Sequence, residues 1–98
     1  MHPTKVPAVS PFQSSATSRF WKLFAQLPEE VQDLATEKYE LFKQDPYHPS
    51  LGFQAKGKVW TVDIGRSYRA IAFRTENHLW WFWIGSHEDY NNVLSRLK

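Results

Sequence analysis

Trp80-Trp81-Phe82-Trp83-Ile84-Gly85-Ser86-His87-Glu88-Asp89-Tyr90 is the stretch that decides the fold. Five large apolar residues in succession need a buried or half-buried strand. The glycine, histidine and tyrosine just past its end would stand on a rigid edge, where a polar site can be pre-organised. Upstream, Leu51 to Ala55, Val59 to Ile64, Tyr68 to Thr75 and Leu79 to Ile84 are short β-rich runs broken at Gly57, Gly65 and Glu76-Asn77. Their hairpin spacing predicts an antiparallel meander. Downstream, Tyr90, Val93, Leu94 and Leu97 recur at helical spacing and predict a short closing helix over residues 88–98.

The N-terminal half has a different period. Pro3, Pro7 and Pro11 and a serine-rich stretch predict an extended or poorly ordered arm over residues 1–16, with room for a short edge strand near Val6 to Val9. Thr17 or Ser18 suits an N-cap, and Phe20, Leu23, Phe24 and Leu27 follow at helical spacing. Pro28 stops that helix and suits the first turn of a second, where Glu29, Glu30 and Asp33 favour the positive end of the dipole. Val31, Leu34, Ala35, Leu41 and Phe42 form its apolar stripe, and Asp45-Pro46 ends it. Tyr47 to Ser50 reads as a loop. The expected class is α+β, with two N-terminal helices on one face of a twisted antiparallel sheet, a short C-terminal helix, and the other face at least partly open. Residues 17–98 are expected to form one domain.

Composition narrows the chemistry. Ninety-eight residues suffice for one core, and the absence of cysteine removes disulfides, thiolate nucleophiles and cysteine-built zinc sites. No apolar run approaches the roughly 20 residues of a membrane helix, and no signal peptide is recognisable; a cytoplasmic protein is expected, with no membrane partner. The net charge is +2, unevenly spread. Residues 28–46 hold six acids against Lys38 and Lys43, whereas seven cations against four acids lie beyond residue 54. The first segment repels phosphate. The second either holds it or forms a solvated basic face.

Arg69 lies in an otherwise apolar strand, so its guanidinium must reach solvent, an anionic ligand or a carboxylate, with Asp63 on the neighbouring strand the structural alternative. His87 carries the one side chain type that readily exchanges a proton near neutrality, and Tyr90 stands one helical turn on. The first is either an acid for a leaving oxygen or a helix-terminal cap, and the second either a donor or stacking platform or the start of a core stripe. Lys56 and Lys58 flank Gly57 at a hairpin and either track a nucleic-acid backbone or guard an edge. His48 sits in a loop and is expected to do no special chemistry. Metal ligation fits poorly, since adjacent side chains of His87-Glu88-Asp89 point to different sides of a helix. No phosphate loop, nucleophile elbow or paired-carboxylate pattern is present, and no cofactor is expected.

In order along the chain, Leu27-Pro28-Glu29-Glu30-Val31-Gln32, Phe42-Lys43-Gln44-Asp45-Pro46-Tyr47-His48-Pro49-Ser50-Leu51, Tyr68-Arg69-Ala70 and Trp83 to Tyr90 resemble the RelE/ParE toxin superfamily over about residues 18–97. The resemblance implies a toxin of a type II toxin–antitoxin module, silenced by a cognate antitoxin. One branch cuts mRNA in the ribosome without metal, and another inhibits DNA gyrase. For the nuclease branch the resemblance implies Arg69 stabilising charge on the phosphate, His87 protonating the 5′-oxygen and Tyr90 beside them, with Lys56, Lys58 and Arg66 positioning RNA. It names no general base. Two departures stand out: a proline-rich arm replaces the first strand usual in the family, and the basic excess is small. The tryptophan-rich strand is expected to be core or to face the antitoxin.

Overall fold

The computed structural model describes residues 12–97. Five strands and three α-helices alternate in the order β1 (Gln13–Ala16), α1 (Ser18–Ala25), α2 (Glu29–Gln44), β2 (Gln54–Lys56), β3 (Val59–Ile64), β4 (Tyr68–Thr75), β5 (His78–Ser86) and α3 (His87–Arg96), with a single 3₁₀ turn at Pro49–Leu51. The sheet order is β1-β5-β4-β3-β2. From β2 to β5 the strands form the expected antiparallel meander.

The sheet as a whole is mixed. β1 pairs in parallel with β5, Gln13 opposite His78 and Ala16 opposite Trp81, so the end of the segment read as an extended or poorly ordered arm forms a strand. Its residues, Gln-Ser-Ser-Ala, have little strand preference; the open edge of β5 supplies the hydrogen-bond ladder. The strand considered near Val6 to Val9 lies outside the described residues. Leu51 also departs from expectation, closing the 3₁₀ turn rather than opening a strand.

The expected cap at Thr17 is present, whereas Pro28 stands just before α2 rather than in its first turn, and Ser86 caps α3 where the sequence named no cap. The Thr17 hydroxyl accepts from the Phe20 N–H at 3.2 Å, Pro28 is the N-cap of α2 and Asp45 its C-cap, and the Ser86 hydroxyl accepts from the Asp89 N–H at 3.2 Å. These bonds satisfy donors that a helix start leaves unpaired.

The strands alternate between two faces. Val62, Ile64, Ala70, Ala72, Leu79, Trp81 and Ile84 join Ala35, Phe42 and Leu51 in the larger core beneath α1 and α2. Phe42 is its hinge, meeting Phe53 at 5.1 Å and Trp81 at 5.6 Å in edge-on contacts, a geometry that aromatic quadrupoles favour. On the opposite face Val59, Ile71, Trp83 and Tyr90 form a smaller core with Val93 and Leu94. That face is therefore crossed by α3, which begins at the top of β5 and brings Leu94, Ser95 and Leu97 beside Lys56 and Lys58 of the β2–β3 hairpin. It is open only on either side of the helix.

Candidate functional site

Register places Asp63 opposite Arg69 and Arg69 opposite Gly85, so the three share one face near the top of the sheet. The Arg69 Nε lies 3.0 Å from Asp63 Oδ1, and its Nη1 donates to the Tyr68 carbonyl at 2.9 Å. The structure thus adopts the carboxylate pairing considered from sequence. The pair is not sealed, with the two side chains 18% and 39% exposed. Two partly exposed charges of this kind contribute about 0.2–1 kcal/mol, little enough for a bound anion to compete for the guanidinium.

Asp63 is itself held from behind. A Cβ on Gly52 would stand 2.6 Å from Asp63 Oδ2, and Gly52 has a positive φ of 53°. The sequence does not disclose that contact. Asp63 thus lies against the bare Gly52 backbone, and Arg69 is held by Asp63 and the Tyr68 carbonyl.

His87 is the first residue of α3, behind its Ser86 cap. Its backbone N–H donates to the Ser67 carbonyl at 2.8 Å, tying the helix start to the β3–β4 turn. The imidazole is exposed and lies nearly parallel to the Tyr90 ring, 5.8 Å between centroids and 21° between planes. The Arg69 guanidinium sits 5.9 Å from the same ring. Guanidinium and imidazole are therefore each within 5.9 Å of the centre of one aromatic ring, at one rim of the sheet. Tyr90 is 6% exposed and packs with Trp83, so it supports this pair from within the core stripe. Gly85 completes the arrangement: a Cβ there would stand 2.7 Å from the Trp83 ring, so only a bare backbone lets the indole lie beneath the site.

The other cations divide. Exposed Arg66 sits in the β3–β4 turn beside Ser67, at the His87 end. Lys56 and Lys58 belong to the opposite end of β3, whose six residues span about 20 Å at ~3.4 Å each, and α3 lies between the two groups. They line a groove with Asn91, Leu94 and Ser95. Arg74 is on the far face, 4.8 Å from the Phe12 ring and 5.3 Å from that of Trp60. His48 accepts from the Ser50 N–H at 3.2 Å and so shapes its own loop. Among the described residues no cluster of three His, Asp or Glu side chains could hold a metal, and no helix is long and apolar enough to cross a membrane.

The fold has known counterparts. It is similar to RelE in the archaeal RelE–RelB complex of Pyrococcus horikoshii, with TM-score 0.60 and 12% identity over 76% of this chain and 93% of that one. The isolated Escherichia coli RelE toxin gives TM-score 0.56 and 13% identity, covering 89% of this chain and 99% of that one. YafQ of Escherichia coli strain BL21(DE3) gives TM-score 0.60 and 11% identity, covering 81% and 97%. Among curated proteins no sequence matches. The model of the ParE-like toxin domain matches residues 29–92, a span running from the first residue of α2 into α3 and enclosing Asp63, Arg69, His87 and Tyr90. This chain belongs to the ParE-like toxin domain family, within the RelE/ParE toxin superfamily.

Proposed function

We propose that the chain is the toxin of a type II toxin–antitoxin pair and cleaves mRNA on the ribosome without a metal ion. The convergence of Arg69 and His87 on the Tyr90 ring carries this reading. Both groups come from rigid elements, and one phosphodiester seated at the rim would meet a cation and a proton donor together. The 2′-hydroxyl gives up its proton to solvent as its oxygen attacks phosphorus, the bond to the 5′-oxygen breaks, and a protonated His87 gives that oxygen a proton. Arg69 exchanges its weak hold on Asp63 for the phosphate, and Arg66 supplies further positive charge at the same end. Tyr90 holds both groups in place. An antitoxin partner is proposed by likeness to RelE, which is held by RelB in the Pyrococcus horikoshii complex.

A second reading has its own support. Arg69 already has a partner within the fold in Asp63, and the matching family is named for ParE; both suit a toxin that inhibits DNA gyrase by binding alone. Pulse-labelling after induction without antitoxin separates the two. The nuclease reading expects protein synthesis to stop first, and His87→Ala and Arg69→Ala each to restore growth while circular dichroism stays native. Arrest of DNA synthesis first, or arrest that persists in both variants, favours the gyrase reading. If growth continues in the wild type, the chain is an inert interaction module of the same fold.

A further inference from the structure

On the other side of α3, the lower part of the same sheet face is lined with rings. Lys56 pairs with Val59, Val59 with Phe73 and Phe73 with Trp80, so these residues stand in one row across four strands. Phe73 is 48% and Trp80 38% exposed. Single exposed aromatics are ordinary on protein surfaces. Here they are contiguous: Phe73 meets Phe82 at 4.6 Å, and Trp80 stacks on His78 at 4.1 Å with 12° between planes. The Trp80 indole N–H donates to the Thr75 hydroxyl at 3.1 Å, and a His78 ring nitrogen lies 2.9 Å from the Ser15 hydroxyl. Trp80 and His78 are thus held in orientation, and Phe73 rests against Phe82.

The charges at the hairpin end of the row are cationic, and Glu76 stands in the β4–β5 turn next to Thr75 at its other end. Lys56 ends the row beyond buried Val59, Lys58 stands across the hairpin turn, and neither forms an ion pair among the described residues. No carboxylate interrupts the row. Exposed, pre-oriented rings flanked by unpaired cations match the chemistry of an unpaired nucleic-acid strand, whose bases stack on aromatic faces while its phosphates meet lysines.

We propose that Phe73 and Trp80, with Phe82 and His78 behind them and Lys56 and Lys58 alongside, form a stacking platform for single-stranded RNA, separated from the His87 rim by α3. The platform rests on the nuclease reading for the identity of its strand. It would hold mRNA on one side of α3 while cleavage occurs on the other. Stacking reads no base edge, so binding is tolerant of sequence.

The test is fluorescence anisotropy of a labelled single-stranded oligoadenylate with the full chain. Phe73→Ala and Trp80→Ala are each expected to weaken binding roughly tenfold with unchanged circular dichroism. Lys56→Glu combined with Lys58→Glu should lower the slope of log affinity against log salt by about 1.4. Equal affinity in the ring variants, duplex RNA or the matching deoxyoligonucleotide bound more tightly, or a wild-type dimer that Trp80→Ala dissociates would each overturn the platform. His87→Ala separates this claim from the parent one. It should retain oligonucleotide binding while losing cleavage. If the wild type binds through the rings but cuts no ribosomal mRNA, the nuclease reading fails and the platform stands; cleavage with ring-independent binding gives the converse.

Discussion

Gly52 and Gly85 carry constraints that their neighbours impose. At Gly52 the left-handed backbone costs an L-residue about 1–2 kcal/mol, and a Cβ would run into Asp63 Oδ2. Gly52→Ala is therefore expected to destabilise the protein by about that amount, read from chemical denaturation, and to displace Asp63 from Arg69. Gly85→Ala would push the Trp83 indole out of its place. An overpacked site of this kind costs about 1–3 kcal/mol, and the near-ultraviolet circular dichroism of the tryptophans should change with it. Asp63→Asn tests the pair itself. Because both side chains are partly exposed, stability should move by less than about 1 kcal/mol. On the nuclease reading the guanidinium is then freer for phosphate, and affinity for RNA at the rim should rise. A large loss of stability would mean that the pair is structural.

At the scale of elements, α3 couples packing to chemistry. Its apolar residues Tyr90, Val93 and Leu94 dock on the sheet, while its first residue presents the imidazole beside a capping serine. Ser86→Ala removes the oxygen that accepts from Asp89 and should cost about 1 kcal/mol. The loss would concentrate at the helix start, so hydrogen exchange at the first turn should quicken while the end packed near the hairpin stays protected. Tyr90 separates the two roles of the helix. Tyr90→Phe keeps the ring that supports Arg69 and His87 and should remain folded, whereas Tyr90→Ala removes a buried aromatic at about 3–5 kcal/mol.

For the whole molecule, two unequal cores on opposite faces of one sheet divide the labour. The larger joins α1 and α2 to the strands through Phe42 and Trp81; the smaller fixes α3 across the face that carries the cations. Phe42→Ala should cost about 3–5 kcal/mol, seen as a lowered urea midpoint, because three rings of the larger core lose a partner. The helix bundle side bears the acids of α2, so repulsion keeps phosphates away from that side. On the nuclease reading, nucleic acid would be steered to the opposite face.

Local sequence alone determined the limits of β3 and β4, the cap at Thr17, the break between the two helices at Pro28 and the class of the fold, because hydrogen-bond period, proline geometry and capping chemistry act between near neighbours. Arg69 and His87 were legible as residues of interest for the same reason, one a charge in an apolar strand and the other the residue ending an aromatic run. Their meeting was not. Only the tertiary structure decided that Arg69 faces Asp63, that β1 lies parallel to β5, that Lys56 and Lys58 are separated from Arg66 by a helix, and that Phe73 and Trp80 share an exposed row. Each depends on cross-strand register or on a helix docking over a distant strand, and such contacts are set by the joint packing of segments far apart in the chain.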